Sequence, residues 1–454
     1  MSKNKTQFKC TNCDYKVFKW QGCCPGCKEW NSFFEETITS SIGPLKSGSL
    51  STRLEVAKLI RLQDVSDELH QRMTCEIYEW DRVLGGGIVP GSFLVLTGDP
   101  GIGKSTLLLQ VCKNLGKKYK IFYFSSEESL EQVKQRTRRL NFNNNEDIFF
   151  SDTSNIESIL YTCKEKKPEI VVIDSIQNCY FENSQSIPGS IAQLRESAFN
   201  LMRLAKENNI AIILTGHITK EGHIAGPKTL EHMVDGVFYL QGEDRWQTRV
   251  LRSVKNRFGA IDELGFFEMD VNGLNEIKNI NEQLLKEMTS SPGSALISCI
   301  EGSRPILLET QALVVPSKLA MPQRVVTGID PKRVILIAAI LEKYLHIKLS
   351  AHDIFFKISG GIKIKESSAD LGIALSLLSS YFQKPIPPKS LALGELSLTG
   401  QIKSVNQVSL HVNESAKFGI ENLYVSANQQ INKNSGKVKL FKNVYELLSL
   451  FPED

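Results

Sequence analysis

The stretch GDPGIGKST, residues 98–106, constrains the fold of this 454-residue chain more than any other feature. It begins at the end of the apolar run FLVLTG and leads into the apolar run LLLQVCKNL. The sequence therefore predicts a strand, a glycine-rich loop and a helix in succession. Such a loop turns backbone amides and a helix N-terminus towards phosphate groups. We predict a nucleotide site formed by Gly98, Asp99, Pro100, Gly101, Ile102, Gly103, Lys104, Ser105 and Thr106.

Two residues of this loop have side chains with chemical roles of their own. Lys104 is expected to contact the β- and γ-phosphate oxygens, and Ser105 is expected to bind Mg²⁺. The sequence thus predicts a site for Mg²⁺ together with ATP.

Short apolar runs that alternate with helical segments predict a parallel α/β sheet from about residue 59 to 272. The candidate strands are FLVLTG, IFYFSS, EIVVIDS and AIILTGH, and the runs GVFYLQG and TRVLRSV predict a hairpin. Between the last two of the four strands, apolar residues recur every three or four positions, which predicts a helix with one buried face. These residues are Ile191, Leu194, Ala198, Leu201 and Ala205.

Polar residues at the ends of the predicted strands extend the nucleotide site. Asp174 ends one strand, where a carboxylate holds Mg²⁺, although an aspartate at a strand end can also cap a helix. Glu127 and Glu128 end another strand, and we assign water activation to Glu127, with Glu128 either supporting it or beginning the next helix. His217 follows a third strand. Core and loop histidines are common, but this tip faces the same crevice, so we favour a γ-phosphate sensor.

Half of the ten cysteines lie in the first 27 residues, which is typical of a metal site and not of a disulfide scaffold. CTNC pairs Cys10 with Cys13, and CPGC pairs Cys24 with Cys27. Two such turns complete a tetrahedral shell of four thiolates around Zn²⁺. Cys23 is left over, because pairing it with Cys27 would need a looser turn. Four protein ligands leave no open position, so the predicted zinc site is structural.

The segment KNRFG, residues 255–259, ends a run that alternates like a strand. Lys255 and Arg257 are two residues apart and therefore lie on one face of that strand. Charged residues at a strand end are often only solvated. The alternative is that both cations bind an anion.

Composition excludes few functions. The net charge of +4 neither requires nor excludes nucleic-acid binding. A binding surface would have to come from the placement of the charges and not from their total. The chain has no run of eighteen apolar residues and no apolar signal core in its first ten residues, so we expect a cytoplasmic protein without a membrane span.

The motifs and their order resemble the RecA-type ATPases: EWDRVLGGGIVPGSFLVLTGDPGIGKST is followed by a glutamate one strand later and by VVIDS. The cysteine module, YFSSEES, GHITKEGHIAGPKTLEHMVD and KNRFG resemble, in this order, a family of bacterial DNA-repair ATPases over nearly the whole chain. The resemblance implies an α/β protein with a RecA-like P-loop core at residues 59–272. A four-cysteine zinc finger at 1–35 and a linker at 36–58 precede the core, and a Lon-peptidase-like α/β domain at 285–454 follows it.

The same resemblance implies a DNA-stimulated ATPase that forms a hexameric ring, acts in homologous recombination and repair, and drives branch migration. The implied partners are single-stranded and branched DNA, the recombinase RecA and further copies of the chain, and the implied cofactors are one structural Zn²⁺ per chain and Mg²⁺ with ATP. In RecA, a KNK segment after a corresponding hairpin reaches the neighbouring nucleotide site. Lys255 and Arg257 are thereby assigned to the γ-phosphate of an adjacent protomer. Lys220 and Lys228 are assigned to DNA phosphates, although lysines in surface loops are common.

The C-terminal segments GGIKIKESSADLGIALSLLSS and LGELSLTGQIKSV resemble the Lon-type peptidase domain. Ser368 falls at the nucleophile position, but Asp370 stands where that pattern has a glycine. Ser409 falls at the position of the catalytic lysine, and Lys403 and Lys417 are out of register. Without a lysine to accept its proton, a serine stays a poor nucleophile. We therefore expect a non-proteolytic domain that serves ring assembly.

Two further functions stay open from the sequence. One is an ATP-dependent Lon-like protease, which the missing lysine disfavours. The other is a KaiC-like regulatory ATPase that binds protein instead of DNA, which the cysteine module and KNRFG disfavour.

Overall fold

The chain forms two compact units, Met1–Glu68 and Leu69–Asp454. The computed structural model describes residues 6–10, 16–17, 20, 22–25, 27–28, 30, 33–37, 61–64, 71–143, 146–182, 190–216, 230–243, 246–261, 263–286, 288–319, 321–360, 363–431 and 437–452. His217, Lys220, Lys228 and Cys13, to which the sequence assigns functions, lie outside these residues.

The first unit contains a small antiparallel sheet with the strand order β2-β1-β3. Its strands are β1 Thr6–Cys10, β2 Lys16–Val17 and β3 Phe33–Thr37, and a 3₁₀ helix spans Leu62–Asp64.

The second unit begins with a nine-stranded sheet in the order β12-β11-β10-β9-β4-β8-β7-β5-β6. Its strands are β4 Phe93–Gly98, β5 Ile121–Ser125, β6 Ile148–Ser151, β7 Ile170–Asp174, β8 Ala211–Gly216, β9 Gly236–Glu243, β10 Trp246–Asn256, β11 Leu264–Asp270 and β12 Gly273–Glu276. Its helices are α1 Tyr78–Val83, α2 Lys104–Leu115, α3 Leu130–Arg139, α4 Ile156–Lys166 and α5 Ile191–Asn208, with a 3₁₀ helix at Ile176–Asn178.

The predicted strands and hairpin are confirmed. Strands β4, β5, β7 and β8 are parallel neighbours and are buried along their whole length, because helices cover both faces of such a sheet. Strands β9 and β10 form the predicted antiparallel hairpin.

The predicted helix is α5, which the Ser190 side chain caps by accepting from the backbone amide of Gln193. Four of its five predicted core residues are buried, but Ile191 is 47% exposed, because it is the first residue of the helix and lies beyond the edge of the sheet contact.

A seven-stranded sheet in the order β15-β16-β14-β13-β17-β20-β21 and a separate β18-β19 pair form the C-terminal domain. Its strands are β13 Ser294–Glu301, β14 Arg304–Pro316, β15 Arg324–Thr327, β16 His352–Ile358, β17 Ser390–Leu393, β18 Glu395–Leu396, β19 Ile402–Lys403, β20 Asn422–Ser426 and β21 Lys437–Phe441. Its helices are α6 Ile280–Lys286, α7 Pro331–Leu345, α8 Asp370–Phe382 and α9 Val408–Lys417, with 3₁₀ helices at Leu349–Ala351, Ser367–Ala369 and Val444–Leu450.

The ATPase core and the C-terminal domain share one apolar core. Val250, Leu264 and Phe266 of the nine-stranded sheet pack in the same buried cluster as Ile297 and Ile306 of the seven-stranded sheet. Strand β12 lies just beyond the core boundary predicted at residue 272, and α6 spans the predicted start of the next domain at residue 285. The domain boundaries themselves stay predictions.

In the described part of the chain, no helix is both long enough and apolar enough to cross a bilayer.

Candidate functional site

The P-loop connects β4 to α2 at the carboxyl edge of the parallel strands. Gly103 precedes α2 with a φ of +115°, a conformation that L side chains rarely adopt. A Cβ at Gly103 would lie 2.6 Å from the Met269 Cε atom of β11. The loop therefore packs on strand β11 of the same sheet, and its positive φ favours glycine at this position.

Lys104 is buried at the start of α2, and its Nζ donates to the carbonyl oxygens of Gly98 at 2.8 Å and Asp99 at 3.0 Å. Burial lowers the pKa of the Lys104 ammonium. The carboxylates of Asp174 and Glu127 raise that pKa, which means that they lie close enough to act on the ammonium. The predicted lysine and two predicted carboxylates thus meet at one site.

Asp174 ends β7 and is held by two side chains from the adjacent strands. The Tyr123 hydroxyl of β5 donates to Asp174 Oδ2 at 2.6 Å, and the Thr215 hydroxyl of β8 donates to Oδ1 at 2.6 Å. Burial, with Asp174 beside it, raises the pKa of Tyr123 well above its usual value, so this hydroxyl stays a donor. Both carboxylate oxygens of Asp174 have fixed directions at the mouth of the site.

Sequence reasoning missed Tyr123 and Thr215. A signal existed, because each is a hydroxyl-bearing residue one or two positions before the end of an otherwise apolar, fully buried strand. It also missed Arg249 of β10, whose Nε donates to the P-loop carbonyl of Ile102 at 3.3 Å.

The two glutamates after β5 have different surroundings. Glu127 is exposed and accepts a short hydrogen bond from the Ser175 hydroxyl, next to Asp174. Glu128 Oε1 forms an ion pair with Arg136 of α3 at 2.5 Å. Glu128 is therefore engaged with the following helix, whereas Glu127 lies beside Asp174, the predicted Mg²⁺ ligand. This arrangement supports the assignment of water activation to Glu127.

KNRFG lies at the opposite edge of the sheet from the P-loop of its own chain. Gly236 of β9 is paired with Leu94 of β4 on one side and with Asn256 of β10 on the other. Asn256 is therefore level with Leu94, at the beginning of β4, whereas Gly98 ends β4. At about 3.3 Å per residue, four residues separate these levels by about 13 Å. A bound anion at KNRFG cannot be the phosphate in the same chain's P-loop.

Both cations of KNRFG have polar partners within their own chain. The Nζ of Lys255 donates to the carbonyl of Glu231, and Arg257 is 60% exposed and pairs with Asp235 at 3.2 Å. Asp235 itself is buried and also pairs with Lys206 at 2.5 Å. The Arg257 guanidinium thus contacts a buried carboxylate while most of its surface stays exposed to solvent.

The predicted zinc ligands among the described residues come together. The sulfurs of Cys10, Cys24 and Cys27 all lie within 4.8 Å of one another, and Cys10 Sγ is 3.6 Å from Cys27 Sγ. Tetrahedral zinc–thiolate geometry needs sulfurs about 3.8 Å apart, so this donor set fits Zn²⁺. Cys23 does not belong to the group, since its Sγ faces the Cys24 carbonyl at 4.0 Å.

The Lon-like site lacks an activated serine. Ser368 is buried, and its hydroxyl donates to Ser298 O at 3.3 Å and to Glu366 Oε2 at 3.2 Å. Ser409 lies exposed on α9, and Lys417 of that helix pairs with Glu414.

The aspartate that replaces the Lon glycine has a structural partner. Arg333 of α7 donates to both carboxylate oxygens of Asp370, at 2.5 and 3.0 Å, and the Leu396 amide donates at 3.1 Å. Burial raises the pKa of Asp370, and Arg333 opposes that shift. A buried ion pair thus lies beside the former nucleophile position.

Two family models match parts of this chain. Residues 58–223 match the family described as AAA domain, and residues 331–429 match the family described as subunit ChlI of Mg-chelatase. The solved RadB recombinase aligns with 45% of this chain and 100% of its own, at 23% identity and a TM-score of 0.37.

Curated relatives match over almost the whole length. The DNA repair protein RadA of Streptococcus pyogenes serotype M6 is 43% identical over 94% of both chains. The protein of that name from Listeria monocytogenes is 43% identical over 98% of this chain and 95% of its own, and that from Bacillus subtilis is 42% identical over 94% and 93%. With its P-loop, its RecA-like α/β core and its ChlI- and Lon-like C-terminal domain, the chain belongs to the DNA repair protein RadA family.

Proposed function

We propose that this chain is a DNA-dependent ATPase of homologous recombination and repair that drives branch migration as a ring-shaped, hexameric motor. ATP hydrolysis follows from the P-loop and the RecA-like fold. DNA stimulation, branch migration and the ring are the proposal, and the position of KNRFG is the observation that carries it.

KNRFG lies far from the P-loop of its own chain. Its two cations lie about 13 Å along the strands from their own nucleotide site, on the other edge of the sheet. If they serve catalysis, they serve the site of another copy. A contact that joins one edge of a protomer to the opposite edge of the next is heterologous, and such contacts close into rings when the rotation permits.

Within the site, the chain's own residues have distinct proposed tasks. Lys104 contacts the β- and γ-phosphates, and Ser105 and Asp174 hold Mg²⁺, which neutralises charge on those phosphates when bound. Glu127 orients and deprotonates the attacking water, and His217 senses the γ-phosphate. Lys255 and Arg257 of the adjacent copy stabilise the charge that develops on the transferred group.

The cysteine module is proposed as a structural zinc finger with Cys10, Cys13, Cys24 and Cys27 as ligands. Three of the four sulfurs already cluster, and Cys13 lies outside the described residues. A closed shell of thiolates stabilises its own module and offers no position for substrate.

The proposed partners are single-stranded and branched DNA, the recombinase RecA and further copies of the chain. Relatives named for DNA repair support a DNA substrate. Lys220 and Lys228 are the proposed phosphate contacts. The proposed location is the cytoplasm.

Proteolysis is not supported by the C-terminal site. Ser368 is buried, and the exposed Ser409 stands at the position where the Lon pattern has the lysine that accepts the serine proton. We propose that this domain contributes to ring assembly instead.

The test combines turnover with sizing. ATP hydrolysis is measured with and without single-stranded DNA, while light scattering records the mass with a non-hydrolysable ATP analogue. We expect DNA to raise turnover and the mass to reach six chains. Turnover that does not respond to DNA, in a protein that assembles normally, contradicts a DNA motor and favours a regulatory ATPase.

A further inference from the structure

The loop that carries Arg257 connects β10 to β11, and we call its described residues, 257–261 and 263, the finger loop. At its first end, Arg72 Nη2 donates to the Phe258 carbonyl at 2.6 Å, and Arg72 Nη1 donates to the Leu84 carbonyl at 3.5 Å. A Cβ on Gly259 would lie 2.8 Å from Gly85 Cα, so the two backbones are in direct contact. This end of the loop is fixed to the glycine-rich turn after α1.

The other end of the finger loop is held by Glu263, which is only 5% exposed. Its Oε2 accepts from Arg82 Nη1 at 2.6 Å, and its Oε1 accepts from the backbone amide of Ser303 at 2.8 Å. A Cβ at Gly302 would lie 2.7 Å from Glu263 Cδ. Ser303 and Gly302 belong to the C-terminal domain, so one end of the finger loop is fixed by that domain.

The same turn, Glu301–Arg304 between β13 and β14, contacts the ATPase core with each of its four residues. Glu301 pairs with Arg252 of β10 at 3.1 Å. Arg304 pairs at 3.1 Å with Glu79 of α1, whose exposed fraction is 0%. The turn is therefore joined to the strand that enters the finger loop and to the helix before the glycine-rich turn.

These contacts fix the backbone at both ends of a short loop, while the Arg257 side chain is 60% exposed and pairs with the buried Asp235. A displacement of about 1 Å of a catalytic group can cost about 10²-fold in rate. The clamp on the backbone therefore determines, together with Asp235, where Arg257 lies.

We propose that Arg72 and Glu263 are positioning residues for KNRFG, and that Glu263 couples the position of the finger loop to the C-terminal domain. This inference rests on the proposed role of KNRFG in a neighbouring nucleotide site. Hydrolysis by one copy then depends on the C-terminal domain of the next copy, through the Glu301–Arg304 turn.

The first test separates catalysis from binding. Arg72→Met and Glu263→Ala should leave the affinity for an ATP analogue and the assembled mass unchanged, and should lower kcat by about ten- to a hundredfold with KM unaltered. Glu263→Gln, which keeps an acceptor for the Ser303 amide, should restore part of the loss. Arg203→Met, which removes an arginine from an exposed ion pair on α5, is the matched control and should turn over normally.

Arg72→Met also keeps the test valid if Glu263→Ala fails to fold. Arg72 donates to backbone carbonyls, so its loss leaves no buried carboxylate without its partner. Parental kcat in both Arg72→Met and Glu263→Gln would overturn the proposal.

The second test asks on which side of the interface Glu263 acts. Mixed with Lys104→Ala, whose finger loop is intact, Glu263→Ala should gain activity, whereas mixed with Arg257→Ala it should not. The role of Glu263 would be overturned if Glu263→Ala gained no activity when mixed with Lys104→Ala, under conditions in which Arg257→Ala does gain activity with the same partner. If Arg257→Ala also fails to gain with Lys104→Ala, the proposed function of KNRFG is contradicted, and the clamp with it.

Discussion

The Tyr123 hydroxyl donates to the Asp174 carboxylate at 2.6 Å from the adjacent strand, so the proposed Mg²⁺ ligand takes its orientation from a buried phenol. Groups that orient a metal ligand are typically worth about 10–100-fold in metal affinity. We expect Tyr123→Phe to raise the Mg²⁺ concentration needed for half-maximal turnover by about tenfold, with ATP analogue binding retained. A magnesium titration of the ATPase checks this, and an unchanged midpoint contradicts it.

The two neighbouring glutamates should differ sharply. Glu127→Gln should bind ATP and hydrolyse it far more slowly, because the phosphate cradle survives and only water activation is lost. Glu128→Gln is the matched control. It should keep most of the turnover, because it loses only the ion pair with Arg136 of α3. Single-turnover hydrolysis decides between them, and the reverse pattern would exchange the two roles.

The cysteine module should hold one zinc ion per chain. Cys24→Ser should lose the metal, because a serine hydroxyl is a poor replacement for a thiolate. Cys23→Ser should keep it, as Cys23 lies outside the sulfur cluster. Metal analysis of freshly purified, reduced protein measures both, and loss of zinc in Cys23→Ser alone would show the ligand assignment to be wrong. Nucleotide binding should survive in either variant, since structural zinc stabilises its own module.

The C-terminal domain should lose stability in mild acid through His411. Its Nδ1 lies 2.8 Å from the Ser298 hydroxyl, and burial lowers its pKa from 6.5 to about 4. The folded state therefore binds this proton less readily than the unfolded state. Stability from this group is complete above pH 6.5 and falls by roughly 1.4 kcal/mol per pH unit towards pH 4.

Unfolding by denaturant at a series of pH values measures that slope, and His411→Gln should flatten it between pH 6.5 and 4. An identical slope in the variant would assign the acid sensitivity to other groups.

Signals that are local in sequence were predicted well. The P-loop, the strand ending in Asp174 and the β9–β10 hairpin each depend on residues within a short window, where apolar runs and glycines determine the local structure. Ile191 was placed wrongly because periodicity does not show where a helix extends past the sheet.

Pairs distant in sequence could not be predicted. Glu263 meets Ser303 only because two sheets share a core, and Arg72 meets Phe258 across 186 residues of sequence within the ATPase core. The partner of Asp370 was missed for the same reason. An acidic residue in place of a glycine signals a change of chemistry, but the sequence does not say that Arg333 neutralises it.

The central claim is that Lys255 and Arg257 complete the nucleotide site of a neighbouring copy, and mixing two inactive proteins tests it most directly. Lys104→Ala has a defective cradle and an intact KNRFG, whereas Arg257→Ala has an intact cradle and should lose roughly 10³- to 10⁵-fold in rate, or less if Lys255 compensates. When equal amounts of the two proteins exchange freely between rings, about a quarter of the heterologous interfaces should join an intact nucleotide site to an intact KNRFG. We predict that ATPase activity reappears in the mixture, and activity that stays absent while both proteins assemble and exchange would contradict the account.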